Sequence, residues 1–114
     1  MRAWGFEILC RDAKYYSPTI TAVLLPEGHD ADAFRALALE TFNISYGASF
    51  GPYTKKYFRI GHLGDVNDGW HMGALAATEM ALSLARIPHK KGGVQAAMDY
   101  IASAHAGGAR AAAE

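Results

Sequence analysis

The stretch YFRIGHLGD, residues 57–65, decides how this chain folds. Side chains alternate between the two faces of a strand, so Phe58 and Ile60 are predicted to point to one side. Tyr57 and Arg59 then point to the other side, and the glycines that follow break the strand. Arg59 is therefore predicted to face away from the core, where a guanidinium can offer two parallel donors to a carboxylate.

Three other segments have strand character. The clearest is TITAVLLP, residues 19–26, in which side chains alternate until a proline ends the pattern. WGFEILC, residues 4–10, and ISYG, residues 44–47, are shorter candidates. The residues between 11 and 18 are predicted to form a connection.

Three segments carry helix signals. Asp30 is a suitable N-cap, and the apolar residues after it recur at three- and four-residue spacing. Residues 66–86 are rich in Ala, Leu and Met and predict the longest helix. A last helix is predicted over 94–105, followed by a frayed tail at 106–114.

The order of these elements predicts one α+β domain over residues 1–114, with a small, mainly antiparallel sheet and helices packed on one face. A chain of this length buries roughly two-thirds of its unfolded surface, which is enough for a single core. The sequence contains no repeat and no linker that would divide it. We therefore expect a single domain.

Charge and cysteine content narrow the class of protein. Eleven basic and eleven acidic residues give no net charge, so the long-range field that attracts nucleic acid or anionic lipid is absent. No apolar run approaches the ~20 residues of a membrane span. The single cysteine, Cys10, lies in an apolar run and is predicted to be a buried structural thiol. We expect a cytoplasmic protein with neither a nucleic-acid nor a membrane partner.

Arg59 is the candidate binding residue, and two structural alternatives stay open for it. It is either a plain exposed arginine or one half of an ion pair with Asp65 or Glu79. Asp65 is interpreted as a helix cap rather than a catalytic base, because its position explains it without chemistry. His62 and Tyr57 are candidates for residues adjacent to a ligand; for His62 the alternative is a partly exposed histidine at a strand end.

A metal centre is not predicted. The five histidines show no paired spacing of a zinc or iron site, and only one cysteine is available to join them. These histidines are His29, His62, His71, His89 and His105.

Three stretches together resemble a known family. They are CRDAKYYSPTITAVLLPEGHDADAFR, YFRIGHLGDVND and GALAATEMALSLARIPHKKGGVQAAMDYI. In this order they resemble the C-terminal small domain of class V, fold-type I aminotransferases, and within them the serine–glyoxylate and alanine–glyoxylate enzymes. The likeness runs over residues ~3 to 101, nearly the whole chain.

The resemblance implies a pyridoxal 5'-phosphate enzyme that moves an amino group from serine or alanine to glyoxylate, as a homodimer. In that family the arginine of the FRIGHLG-type motif binds the substrate carboxylate, and this role falls on Arg59. The Schiff-base lysine that attaches the cofactor belongs to the family's large domain. None of the lysines here lies in its motifs, so we predict that this chain alone does not transaminate; they are Lys14, Lys55, Lys56, Lys90 and Lys91.

One stretch departs from the family pattern. SYGASFGPYTKKYFRIGH, residues 45–62, is more aromatic than the usual version, which resembles GLNKVAGKVFRIGH. The departure bears on the shape of the acceptor pocket and leaves the arginine in place. A second function class also stays open: a stand-alone, non-catalytic binding or interaction module with the same fold, using the face of Tyr57 and Arg59.

Overall fold

The computed structural model describes residues 1–113, with the surroundings of side chains given as far as residue 107. Its α+β architecture confirms the predicted fold class. Within the described residues the regular elements are the strands β1 (Ile20–Leu24) and β2 (Tyr57–Gly61) and the helices α1 (Ala31–Phe42), α2 (Asp68–Leu84) and α3 (Gly93–Ala113).

The sheet consists of β1 and β2, paired antiparallel with Val23 opposite Phe58 and Ala22 opposite Arg59. Each outer edge carries one isolated bridge: Ile8 pairs with Val23, and Gly47 pairs with Arg59. The segments that include Ile8 and Gly47 were predicted as strands, and that prediction was wrong. Each segment pairs with the sheet at a single bridge, because the chain turns away on both sides of it.

Helix α1 begins as predicted. The Asp30 carboxylate accepts hydrogen bonds from the backbone N–H groups of Asp32 and Ala33, at 2.8 and 3.3 Å, and so caps the first turn. The helix ends at Asn43, whose φ of 56° is the left-handed conformation that closes a helix and that asparagine tolerates. Local sequence signals are therefore sufficient to define both ends of α1.

Helix α2 begins two residues later than its sequence signals indicated. Asn67 is the N-cap, and its side-chain oxygen accepts a hydrogen bond of 3.0 Å from the N–H of Trp70. The interpretation of Asp65 as the cap was therefore wrong, because Asp65 lies before the capping position. Helix α3 extends to Ala113, beyond the predicted end at 105. Glu114 lies outside the described residues, and fraying of 106–114 stays a prediction.

Two helices cover the face of the sheet that carries Val23 and Phe58. The core is built on three aromatic rings, from α1, the connection after it and β2, with ring centroids 4.7 to 5.6 Å apart. These rings belong to Phe34, Tyr46 and Phe58. Leu82 of α2 and Val23 of β1 are fully buried beside them. Burial of these side chains supplies the main driving force for packing the helices on the sheet.

The N-terminal segment also packs against the core. Trp4 is 2% exposed and packs with the core cluster. The chain then passes along the edge of β1 to Cys10, which is half-buried with its Sγ 3.5 Å from the carbonyl oxygen of Asp12. The prediction of a buried thiol in a strand was wrong, because the chain leaves the sheet edge just before this residue.

Candidate functional site

Arg59 lies in the middle of β2, with backbone partners on both sides. It faces Ala22 of β1 across the sheet. On its other side, its N–H donates to the carbonyl of Gly47 at 3.0 Å, and its own carbonyl accepts from the N–H of Gly47 at 2.9 Å. Both backbone hydrogen bonds of Arg59 therefore go to Gly47, while β1 faces it across a non-hydrogen-bonded pair, and the side chain starts from a fixed point of the sheet.

The guanidinium of Arg59 is held by two further contacts. Its Nε donates to the carbonyl oxygen of Ala48 at 2.8 Å, and its Cζ lies 5.1 Å from the ring centroid of Phe50. None of the ion pairs among the described residues includes Arg59. With Nε engaged, the two terminal nitrogens have the arrangement that can bind a carboxylate through two parallel hydrogen bonds.

Gly47 touches the Arg59 side chain directly. A Cβ added to Gly47 would lie 3.0 Å from Nε, 3.1 Å from Cβ and 3.2 Å from Cζ of Arg59. Real Cβ atoms rarely approach neighbours this closely, so any larger residue would press on the arginine. The glycine is explained by this close approach of a side chain to the backbone.

We name the segment from Gly47 to Lys55 the 47–55 loop. Hydrogen bonds within this loop stabilise its conformation. The N–H of Lys55 donates to Oγ of Ser49 at 2.6 Å, and the hydroxyl of Thr54 donates to the carbonyl of Gly51 at 2.7 Å. Gly51 and Lys55 adopt φ values of 67° and 66°. The left-handed conformation is easy for glycine and costs a lysine about 1 kcal/mol or more.

Tyr57 shares a strand face with Arg59 and is nevertheless buried, with 3% of its surface exposed. Its ring stands nearly perpendicular to that of Phe50, at 71°, with the ring centroids 6.4 Å apart. The alternation of β2 places the side chain as expected, while the 47–55 loop covers it. A role for Tyr57 next to a ligand stays a prediction.

His62 joins the end of β2 to the start of β1. Its backbone N–H donates to the carbonyl of Thr19 at 2.8 Å. Its ring Nδ1 lies 3.1 Å from the carbonyl oxygen of Pro18, and Nε2 lies 2.9 Å from the hydroxyl of Thr21. A carbonyl only accepts, so Nδ1 carries a proton, and in the neutral ring Nε2 accepts from Thr21. Both ring nitrogens are engaged within the chain; a ligand-adjacent role for His62 stays a prediction.

Glu79, the other proposed ion-pair partner of Arg59, is engaged elsewhere. Its carboxylate accepts hydrogen bonds of 3.1 Å from the N–H groups of Gly92 and Val94, at the start of α3. Burial works to raise the pKa of Glu79 and is the largest single influence. Three other influences together outweigh burial and lower that pKa. They are the hydrogen bonds from the backbone of Gly92 and Val94, the nearby Trp4 indole, and the charge of His89. Glu79 therefore anchors α3 to α2.

Sequence reasoning singled out Arg59 as a candidate and missed the residues that contact its side chain, namely Gly47, Ala48 and Phe50. The excess of aromatic residues in the stretch 45–62 was the one available signal. Within the described residues, no cluster of three or more His, Cys, Asp or Glu side chains suits a metal ion. In the same part of the chain, no helix has the length and apolar character needed to cross a membrane.

Sequence comparison finds relatives with a common activity. No family model matches this chain. The chain is 40% identical to serine–glyoxylate aminotransferase of Hyphomicrobium methylovorum over 100 residues, which is 87% of this chain and 25% of the relative. It is 35% identical to L-aspartate–glyoxylate aminotransferase of Paracoccus denitrificans, over 86% of this chain and 25% of the relative. The chain thus spans about a quarter of the length of these curated relatives.

Solved structures give the same result. Pyridoxamine–pyruvate aminotransferase of Mesorhizobium loti matches 90% of this chain and 26% of its own, with a TM-score of 0.79 and 30% identity. Ureidoglycine–glyoxylate aminotransferase of Bacillus subtilis matches 86% of this chain and 26% of its own, with a TM-score of 0.77 and 31% identity. The fold described above is therefore shared with one part of each of these larger enzymes.

Proposed function

We propose a function from the premise that this chain belongs to the class V aminotransferases, in which it corresponds to the C-terminal domain. Its role is to bind the substrate carboxylate through Arg59. The complete enzyme is a pyridoxal 5'-phosphate-dependent aminotransferase that transfers an amino group from serine or alanine to glyoxylate. Each of these substrates carries a carboxylate, so one carboxylate-binding arginine serves both halves of the reaction.

The observation that carries the proposal is the way Arg59 is held. Its Nε donates to Ala48 and its Cζ lies 5.1 Å from the centroid of the Phe50 ring, and among the described residues no hydrogen bond uses its two terminal nitrogens. A guanidinium stays charged at any physiological pH, so such a fork binds a carboxylate without depending on a titration. An arginine retained only for an ion pair would be expected to face Asp65 or Glu79, and the described ion pairs include neither contact.

The lysines of this chain do not suit attachment of the cofactor. Lys14 lies 3.5 Å from the carboxylate of Asp12, and Lys55 lies 3.9 Å from that of Asp30. Lys56 and Lys91 are exposed, and the stem of Lys90 packs against Gly5. We therefore propose that the attachment lysine lies outside this chain and that the chain alone is inactive. When bound in the complete enzyme, pyridoxal phosphate supplies the electron sink for the reaction.

The partner that completes the site is then a large, cofactor-binding domain. The length of the chain supports this part of the proposal, because the chain covers only about a quarter of the length of each relative that carries the activity. We propose a homodimer for the complete enzyme and the cytoplasm as its location, the latter in keeping with a single, half-buried cysteine and no disulfide.

Complementation tests the proposed function. The chain is mixed with a large domain from a serine–glyoxylate aminotransferase, and transamination of glyoxylate by serine is followed with each part alone and with both together. We expect activity only from the mixture. Arg59→Ala should abolish most of it, since a hydrogen bond to a charged group contributes ~1.5 to 3 kcal/mol and two are lost. Arg11→Ala, which removes an exposed arginine, is the matched control.

The outcomes separate the two function classes. Activity of this chain alone would overturn the assignment of the lysine to another domain. Binding of glyoxylate to this chain without activity in the mixture would favour a stand-alone binding module. Activity of the mixture that survives Arg59→Ala would refute the role of Arg59.

A further inference from the structure

Phe50 is a large apolar side chain on the surface of the 47–55 loop. It is 63% exposed, and the centroid of its ring lies 6.4 Å from that of the buried Tyr57 ring. Its other close partner is a charge, because the Cζ of Arg59 lies 5.1 Å from the centre of its ring. Single exposed apolar side chains are common at protein surfaces, so the contact with the guanidinium, and not the exposure, distinguishes Phe50.

The distance suits a cation–π interaction. A guanidinium within about 6 Å of a ring centroid is attracted by the negative face of the ring. At an exposed site such a contact typically changes an equilibrium by roughly two- to fivefold. Tyr57 supports the ring from the protein side, so Phe50 does not need to be buried to be held in place.

The Phe50 ring and the Ala48 carbonyl restrain the guanidinium in different ways. The hydrogen bond from Nε to Ala48 fixes one edge of the group but leaves rotation about that edge. A ring on one side restricts this rotation. Gly47 contacts the stem of the same side chain and limits its remaining freedom. Restricting the free arginine before a ligand arrives lowers the entropy lost on binding.

We propose that Phe50 is a positioning residue that holds the Arg59 guanidinium, so that its two terminal nitrogens present a preformed fork to the substrate carboxylate. What the fork binds rests on the proposed function. The ring–guanidinium contact is a property of this chain alone and can be measured without the cofactor.

The experiment uses nuclear magnetic resonance on the whole chain with arginine labelled at nitrogen. Three properties of Arg59 are measured: the exchange rate of its Nε–H with solvent, the ring-current contribution to the chemical shift of that N–H, and the glyoxylate concentration that gives half of its chemical-shift change. The variants are Phe50→Leu, which keeps an apolar side chain without a π face, and Phe50→Tyr, which restores the ring. Tyr53→Leu is the matched control, since it removes another exposed aromatic side chain of the 47–55 loop.

For Phe50→Leu we expect faster exchange of the Arg59 Nε–H, loss of the ring-current shift and a roughly two- to fivefold higher glyoxylate midpoint. Phe50→Tyr should restore all three values, and Tyr53→Leu should leave them unchanged. Thermal unfolding of each variant confirms that the fold is retained.

Three results would count against the proposal or its premise in distinguishable ways. Unchanged exchange and an unchanged midpoint in Phe50→Leu would overturn the positioning role while leaving carboxylate binding intact. An equal effect of Tyr53→Leu would overturn it too, because the loss would then belong to the loop as a whole. If glyoxylate does not perturb Arg59 in the unaltered chain, the exchange rates alone decide the positioning role, and the complementation experiment decides the proposed function.

Discussion

Phe58 and Arg59 are neighbours on one strand and belong to two different regions of the molecule. Phe58 is fully buried among aromatic rings from α1 and the connection after it. Arg59 is half-buried on the opposite face, where its guanidinium contacts the 47–55 loop. On the core face, the contacts join elements far apart in sequence and hold the fold together. On the loop face, the contacts converge on one charged group. Stability and binding should therefore respond separately to changes one residue apart.

The largest effect should come from Phe58→Ala. The ring has no exposed surface and touches both Phe34 and Tyr46, so its removal leaves a cavity in the centre of the core. We expect a loss of ~3 to 5 kcal/mol in the free energy of unfolding, measured by urea denaturation. Phe58→Leu, which keeps most of the volume, should cost much less. A small effect of Phe58→Ala would show that the core face does not carry the stability of the fold.

Arg59→Ala should affect binding more than stability. The loss of the terminal donors is expected to weaken glyoxylate binding tenfold or more. The free energy of unfolding should fall by only about 1 kcal/mol, because the side chain is partly solvated and contributes one hydrogen bond to Ala48. Calorimetric titration and urea denaturation of the same sample measure both. A stability loss as large as that of Phe58→Ala would contradict the separation of the two faces.

Tyr46→Phe tests a polar contact within the core face. Thr78 donates its hydroxyl proton to the carbonyl of Ala74, so the Tyr46 hydroxyl is the donor in its bond to Thr78. Deleting it should cost about 1 kcal/mol of unfolding free energy, with glyoxylate binding unchanged.

The same tyrosine predicts a dependence on pH. Burial is the largest influence on the pKa of Tyr46 and raises it, because it disfavours the charged phenolate. A raised pKa in the folded state means that its contribution to stability is complete below pH ~10 and is lost as the pH rises through the folded-state pKa. Denaturation between pH 9 and 11 should show this loss, and Tyr46→Phe should reduce it. Identical alkaline profiles for the two proteins would rule out Tyr46 as its source.

The smallest effect concerns strain on the loop face. Lys55 has a φ of 66°, where a side chain is disfavoured and glycine is not. Lys55→Gly should raise the free energy of unfolding by up to about 1 kcal/mol, because the strain relieved exceeds the loss of an exposed ion pair with Asp30. Lys56→Gly, the same change at a neighbour without a positive φ, should instead destabilise the chain. Equal effects of the two substitutions would show that the loop stores no strain at Lys55.

Much of the fold was predictable because its signals are local. The alternation in residues 57–61 placed Phe58 in the core and Arg59 on the other face, and Asp30 caps α1 as its position indicated. The start of α2 was harder, since Asp65, Asn67 and Asp68 are all acceptable caps by residue type. Only the path of the chain after β2 selects Asn67.

The sequence by itself determined the fold class, the strand that carries Arg59 and the family to which the chain belongs. These depend on alternation, helical spacing and motif order, which can be read along the chain. The tertiary structure alone decided that Tyr57 is buried and that Ala48 and Phe50 hold the guanidinium of Arg59. The reason is that these contacts join residues 7 to 11 positions apart through the turn of the 47–55 loop, whose conformation no local pattern encodes.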